Sequence, residues 1–466
     1  MGRPAISATL PPVSGQLHRT LRLPHATALV VGTIIGSAVF VQAAEVTHHV
    51  PNIVGVLLVW IVSGILTLFG ALACAELATA FPRTGGVYVF LREIYSPLAG
   101  FLWGWAMFWV MHSGIIAAMS MVFARYAGAF VPLDDRGMRA VAVAAILVNS
   151  AINYVGVKRS STLQTSITAT KVVAVALIVV VGFVLGSQLP SHYQYSDAGT
   201  PGFGLSDVPI SEFLLAVVAG LFAFGGWHVV TYTAEETVAP ERTIPRALGI
   251  GIAIVTLAYV ALNAVYFYIL PVDKVLASTR VAADAAAVVL GNPGALAISA
   301  LVLFSVFGAM MGSILAAPRV YFAMARDGLL FQWVNHLHPR FGTPHRAIAL
   351  QAIWASVLVL TGTYRQLFSR VIFTEWIFFA LMAGGIFLLR QRPGYQPAYR
   401  VWGYPWAPIV FVLASTAIVI NRLVAFPVDS GAGLALVAAG IPVYYLWCRP
   451  RQFSESRSTS LPAARD

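Results

Sequence analysis

Gly32-Thr33-Ile34-Ile35-Gly36-Ser37-Ala38-Val39-Phe40 lies inside an apolar run from about His25 to Val46, and the reading of that stretch decides the fold. The run is long enough to cross a bilayer, which takes about 20 residues. Its two glycines, four positions apart, each weaken a helix by about 1 kcal/mol relative to alanine. A membrane helix carries such a defect where neighbouring protein or a cavity satisfies the freed backbone groups. A second apolar run is interrupted in the same way by Phe222-Ala223-Phe224-Gly225-Gly226-Trp227. The two interrupted runs each open a block of five, and matched breaks of that kind point to a binding site between broken helices.

Hydrophobic residues make up 59% of the 466 positions and charged residues only 10%, against about 25% charged in soluble domains. With a mean hydropathy of +0.80, the chain is expected to be an all-α polytopic membrane protein. Apolar runs at about 25–47, 53–80, 98–131, 138–157, 163–187, 211–234, 247–271, 294–324, 346–363, 370–390, 406–426 and 431–448 predict about twelve spans. Residues 1–24 read as an N-terminal tail, 25–451 as the membrane domain and 452–466 as a C-terminal tail. The net charge of +11 does not indicate nucleic acid, because the basic residues sit between apolar runs. Of the 29 Lys and Arg, nineteen fall on one side of the alternating spans and seven on the other, which places both termini in the cytoplasm by the positive-inside rule. There is no phosphate-binding glycine loop and no zinc-ligand cluster, so neither cofactor nor metal is expected. The two cysteines, Cys74 and Cys448, lie in different runs and do not suggest a disulfide scaffold.

Gly32 to Phe40 resembles the GxxIGSGIF signature of the amino acid–polyamine–organocation superfamily. Phe222 to Glu236 resembles the L-type amino acid transporters and their bacterial relatives. The likeness continues through Ala75-Glu76-Leu77, Pro82-Arg83-Thr84-Gly85-Gly86, Arg319-Val320-Tyr321, Ala325-Arg326-Asp327-Gly328 and Glu375-Trp376, in order, over about residues 20–450. It implies a LeuT-type 5+5 inverted repeat with broken helices 1 and 6, the repeats covering about 25–187 and 211–390, followed by two more helices. It also implies a sodium-independent secondary transporter of neutral L-amino acids working by alternating access, as exchanger or facilitated uniporter. A proton-coupled uptake carrier is the alternative, followed by a cationic amino acid or polyamine carrier. By the same resemblance Thr33, Ile34, Gly36, Ser37, Ala38, Phe222, Ala223, Gly225 and Trp376 line the substrate site. The N–H groups of Ser37 and Ala38 would hold the carboxylate, and the carbonyls of Ile34, Phe222 and Gly225 the ammonium. Phe222 would be the gate. Lys171 would stand where sodium-coupled members of the fold hold a sodium ion.

The residues themselves add to this. Lys171 falls about eight residues into the fifth predicted run, roughly 12 Å from its nearer end at 1.5 Å per residue, where a lysine is costly unless paired or snorkelling. His112, His228 and Glu375 are the candidates for proton linkage, although each taken alone reads as a hydrogen-bonded interior residue. Glu76 reads as structural, and Arg125 as lying near the outer end of its span. Ala38 stands in place of the signature's second glycine and adds a methyl beside the substrate, which favours small side chains. Gly225 stands where cationic carriers of the group have an aspartate. Val131 to Gly137 lacks the cysteine through which animal relatives bond a heavy subunit, so no disulfide-linked partner is expected. A channel would need polar rings along a pore, and an enzyme a clustered nucleophile and base; neither is visible. His336, His338 and His345 fall in a loop and do not by themselves make a metal site. A bacterial cytoplasmic membrane is the expected location, with the amino acid and the bilayer as partners.

Overall fold

A computed structural model describes residues 17, 19–36, 38–186, 208–278, 280–362 and 364–446. Within them the chain is helical. The first run is split into α1 (Leu23–Ile34) and α2 (Ala38–His49), followed by α3 (Ile53–Ala80), whose N-terminus is capped by the Asn52 side chain accepting from the Gly55 amide. Gly85 and Gly86, at φ 119° and 49°, turn the chain into the short α4 (Val87–Ile94). The long α5 (Pro97–Ala127) carries one π turn at Met107–Met111. Then come α6 (Asp135–Tyr154) and α7 (Val157–Leu185). The second broken run is α8 (Ile210–Ala223) followed by a 3₁₀ segment, Trp227–Glu236. The remainder comprises α9 (Pro240–Ile269), α10 (Val272–Ala277), α11 (Val281–Ala316), α12 (Pro318–Arg326), α13 (His345–Thr361), α14 (Tyr364–Leu389), α15 (Trp406–Ala425) and α16 (Pro427–Ala438).

Among the described residues nine helices are long and apolar enough to cross a membrane, against the roughly twelve spans that hydropathy predicts. The shorter apolar helices Leu23–Ile34, His345–Thr361 and Phe373–Leu389 account for the difference. The first is short because the break cuts it. Two boundaries also moved. Residues 272–293, expected as a loop, hold α10 and the start of α11, whose two pieces join at Gly291 in a left-handed conformation ahead of Pro293. The fifth span begins at Val157, about six residues before the hydropathy boundary, because its first turns are the polar Lys158 to Thr162.

The core is built around α1. It packs on α7, α9 and α11, while α2 packs on α8 and α9 lies along α3. Gly32 belongs to helical α1 rather than to the break itself, and a side chain there would overlap Thr168 Oγ1 and Gln164 Nε2 of α7. Gly308 of α11 likewise has no room for a side chain against Ile167 of α7. Small residues at these crossings let membrane helices approach closely. Away from the breaks, Glu76 of α3 is fully buried and pinned from one side of the bundle. It accepts from Arg390 at 2.6 and 3.0 Å, from the Val401 amide at 2.7 Å and from the Tyr395 hydroxyl at 3.3 Å. Arg125 lies in the last turn of α5 and is exposed.

Replacing Gly32 with valine is expected to lower the melting temperature of the detergent-solubilised protein, by the about 1–3 kcal/mol that overpacking costs. Gly249→Ala on α9, where nothing lies within 4 Å of the added carbon, is expected to hold or raise it. Equal melting of the two variants would remove close packing as the reason for Gly32.

Candidate functional site

The two breaks lie side by side. Helix α1 ends at Ile34; Ile35 and Gly36 leave helical geometry, and α2 restarts at Ala38. Ser37 lies outside the described residues. A helix end leaves its last carbonyls and the next helix's first N–H groups without intrahelical partners, so each freed group has to be followed. The carbonyls of Gly32 and Ile35 accept from Lys171 Nζ at 3.1 and 2.9 Å, and Ile35 accepts also from Ser305 Oγ of α11 at 3.2 Å. Lys171 is 1% exposed and sits fourteen residues from either end of α7, at mid-helix rather than about eight residues in. Its ammonium is spent on α1, so it does not snorkel. A side chain at Gly308 would crowd Lys171 Cε at 3.1 Å, so that glycine leaves room for the lysine stem.

The second break runs through Phe224, Gly225 and Gly226, with Gly226 left-handed at φ 97°. A side chain at Gly226 would meet Thr33 Cβ at 3.3 Å. The Thr33 hydroxyl itself turns back to the Leu29 carbonyl at 2.6 Å, with the Gly226 carbonyl 3.4 Å away. Tyr259 of α9 joins the two breaks: its hydroxyl lies 3.0 Å from the Ile34 carbonyl and 3.0 Å from that of Ala223. The Ile34 carbonyl also accepts from the Gly36 amide at 2.8 Å, and that of Phe222 from the Gly225 amide at 3.0 Å. Two of the three carbonyls expected to hold an ammonium are thus already engaged in this conformation. On a segment whose residues Leu221, Ala223 and Phe224 are buried, Phe222 and Gly225 are exposed one turn apart; Phe222 is 38% exposed. Ala38, the first residue of α2, is half-buried at the break. Trp376 packs on Phe379 and Phe411, the two rings that also meet Trp227 immediately after the break.

What the arrangement can do follows from its dipoles. The N-terminus of α2 offers N–H groups and partial positive charge; the C-termini of α1 and α8 offer carbonyls and partial negative charge. All three ends converge where no charged side chain but Lys171 is needed. Residues 21–444 match the amino acid permease family. The chain belongs to that family. Within the amino acid–polyamine–organocation superfamily it is therefore a multi-pass membrane transporter of amino acids and not an enzyme. It is 33% identical to the serine/threonine exchanger SteT of Bacillus subtilis (strain 168), over 92% of this chain and 97% of that protein. It is 30% identical to the human cystine/glutamate transporter over 94% of this chain and 88% of that one. With the human large neutral amino acids transporter small subunit 2 it shares 31% over 94% and 83% of the two chains.

The permease ties its two broken spans together at both ends. At one end the Thr20 and Leu21 amides donate to the Glu236 carbonyl, each at 2.9 Å, and the Val238 amide returns to Leu21 at 2.8 Å. At the other, His49 Nδ1 of α2 meets Glu212 Oε2 of α8 at 2.7 Å. Among the described residues, buried and half-exposed ion pairs also clamp the Leu21 end to a neighbouring helix. Glu236 is paired bidentately with Arg319 of α12, both about 1% exposed, and Arg326 holds Glu235 at 2.8 and 2.9 Å. Sequence alone does not single out Tyr259 or Ser305, whose sole signal there is a polar group inside an apolar run, and it shows Glu236 and Arg319 only as members of separate resembling stretches, without their pairing. His336 and His338 stack edge-on against His345, beside Tyr154, away from the breaks.

Tyr259→Phe removes the hydroxyl that both breaks share and keeps the ring. With a net hydrogen bond worth about 1 kcal/mol, substrate affinity is expected to fall several-fold in a binding titration on protein that still melts cooperatively. Unchanged affinity would reduce Tyr259 to a packing residue.

Proposed function

We propose that this permease is a sodium-independent transporter of neutral L-amino acids that works by alternating access, chiefly as an exchanger, with facilitated uniport as its slower mode. The observation that carries the reading is the Lys171 ammonium on the Gly32 and Ile35 carbonyls. A fixed cation there satisfies the carbonyls that a bound sodium ion would otherwise coordinate, so no ion has to arrive before substrate does. The α2 N-terminus suits the substrate carboxylate and the α1 and α8 C-termini suit its ammonium. Gly225 presents no side chain to a cationic substrate. The Ala38 methyl beside the site favours small side chains, in keeping with the serine/threonine exchanger's name.

The arrangement fits a LeuT-type 5+5 inverted repeat over about residues 25–187 and 211–390, completed to about twelve spans by the shorter helices. Because the broken spans are tied to each other at both ends, they suit a unit that rocks against the rest. The Glu236–Arg319 and Glu235–Arg326 pairs would be the contacts that part when the Leu21 side opens. The excess of Lys and Arg supports a cytoplasmic position for that side and for both termini, in the bacterial membrane that we propose as the permease's location. Phe222, exposed at the break, then faces the outer vestibule, where it can fold over bound substrate. No covalently bonded heavy subunit is needed.

Purified protein in liposomes tests this. Labelled serine, alanine or leucine is expected to enter equally in sodium and in choline medium, faster when the lumen holds unlabelled substrate. Lys171→Ala is expected to abolish that uptake. Uptake that requires sodium would overturn the assignment of Lys171.

A further inference from the structure

His112, His228 and Glu375 come from three separate elements, α5, the 3₁₀ segment and α14, and meet in the interior. His228 Nε2 stands 3.7 Å from Glu375 Oε1, and the rings of His112 and His228 are 6.4 Å apart. Both nitrogens of His228 and Nδ1 of His112 are buried with no hydrogen-bond partner among the described residues, contrary to the expectation of hydrogen-bonded interior side chains. Buried polar atoms are nearly always paired, and each exception calls for an explanation. Trp103 and Phe379 wall the His228 ring at 5.9 and 4.9 Å, leaving an apolar surround. The π turn of α5 ends immediately before His112, and such irregularities recur at functional sites.

We propose that His228 and Glu375, with His112 behind them, form a proton-binding site that couples net amino acid movement to protons. The inference rests on the transport reading above, keeps its exchange mode, and makes the slower net mode a proton symport in place of uniport. With one proton the pair is either neutral acid beside neutral imidazole or a self-compensating ion pair. With none it leaves a buried lone carboxylate, and with two a buried lone imidazolium; both are disfavoured in an apolar interior. Tyr232 faces both imidazoles, at 5.4 and 5.7 Å, with Cys74 and Tyr321 beyond it, and these groups carry no charge at neutral pH. Glu235 and Glu236 of the same segment are turned onto Arg326 and Arg319, and Lys171 is held by the first break. A proton is thus the cation available to compensate Glu375.

His228 lies two residues beyond Gly226 on the tied unit, whereas Glu375 lies on α14, so rocking changes their separation and with it the hold on the proton. One proton is taken from the outer solution with the amino acid and released to the inner one. During exchange the site stays protonated in both directions and no net proton crosses.

The test uses the full chain in liposomes with a trapped pH dye and labelled alanine. Net uptake into substrate-free liposomes is expected to acidify the lumen, and an inward proton gradient to raise accumulation several-fold; exchange into preloaded liposomes is expected to do neither. Glu375→Gln and His228→Asn are expected to keep measurable exchange while losing acidification and the response to the gradient. Net uptake by the unaltered protein without acidification, or a Glu375→Gln protein that still acidifies the lumen, would overturn the proposal and leave the exchanger standing. Absence of any labelled transport would overturn both.

Discussion

A backbone carbonyl freed inside a membrane has no water to turn to, and the ammonium of Lys171 answers that constraint for the first break. Much near the first site follows from breaking two helices where the freed backbone carbonyls must find partners inside the protein. Gly32 and Ile35 lean on Lys171, and Ile35 also on Ser305. Ile34 and Ala223 share the single hydroxyl of Tyr259. That hydroxyl has one proton for two carbonyls, at 3.0 Å from each, so the two breaks share it. The lysine needs a mid-helix position on α7 and a missing side chain at Gly308 to reach its partners. The breaks thus select residues on three neighbouring helices.

The same low dielectric that makes an orphan carbonyl costly strengthens the ties between the broken spans. Backbone pairing at Leu21 and Thr237, the approach of Thr33 to Gly226, the Tyr259 bridge and the His49–Glu212 pair run along their whole length. By contrast, the buried Glu236–Arg319 pair and the half-exposed Glu235–Arg326 pair hold the spans to their surroundings at one end. Breaking a buried pair by removing one partner costs about 3–5 kcal/mol, so these clamps open only if the parted charges meet water or new partners. On the alternating-access cycle proposed above, a polar vestibule forming at that end would supply the water.

Much of the site was legible because a glycine pair weakens an apolar helix and is kept there where the helix breaks or packs closely. The breaks at Gly36 and Gly225–Gly226 fall where the runs are interrupted, and Lys171 stands out in any apolar window. From sequence its depth reads too shallow, because the polar turns Lys158 to Thr162 look like loop although they begin the helix. Residues 272–293 read as a loop for a similar reason: charged Lys274, Arg280 and Asp284 conceal α10 and the helical start of α11. Tyr259, Ser305 and Glu236–Arg319 could not be found from one chain, because each gains its meaning from a partner far away in sequence. His228 and Glu375 were visible singly, while their meeting required the folded chain.

If backbone ends at the two breaks, rather than side chains, hold an α-amino acid zwitterion without sodium, both charged ends of the ligand are required and the ion is not. Binding titrations on solubilised protein in sodium-free buffer, comparing L-alanine with N-acetylalanine and with ethylamine, read this directly. Saturable binding of L-alanine alone, unchanged when sodium is added, is the expected result. Comparable binding of either truncated or blocked compound, or binding that appears only with sodium, would contradict it.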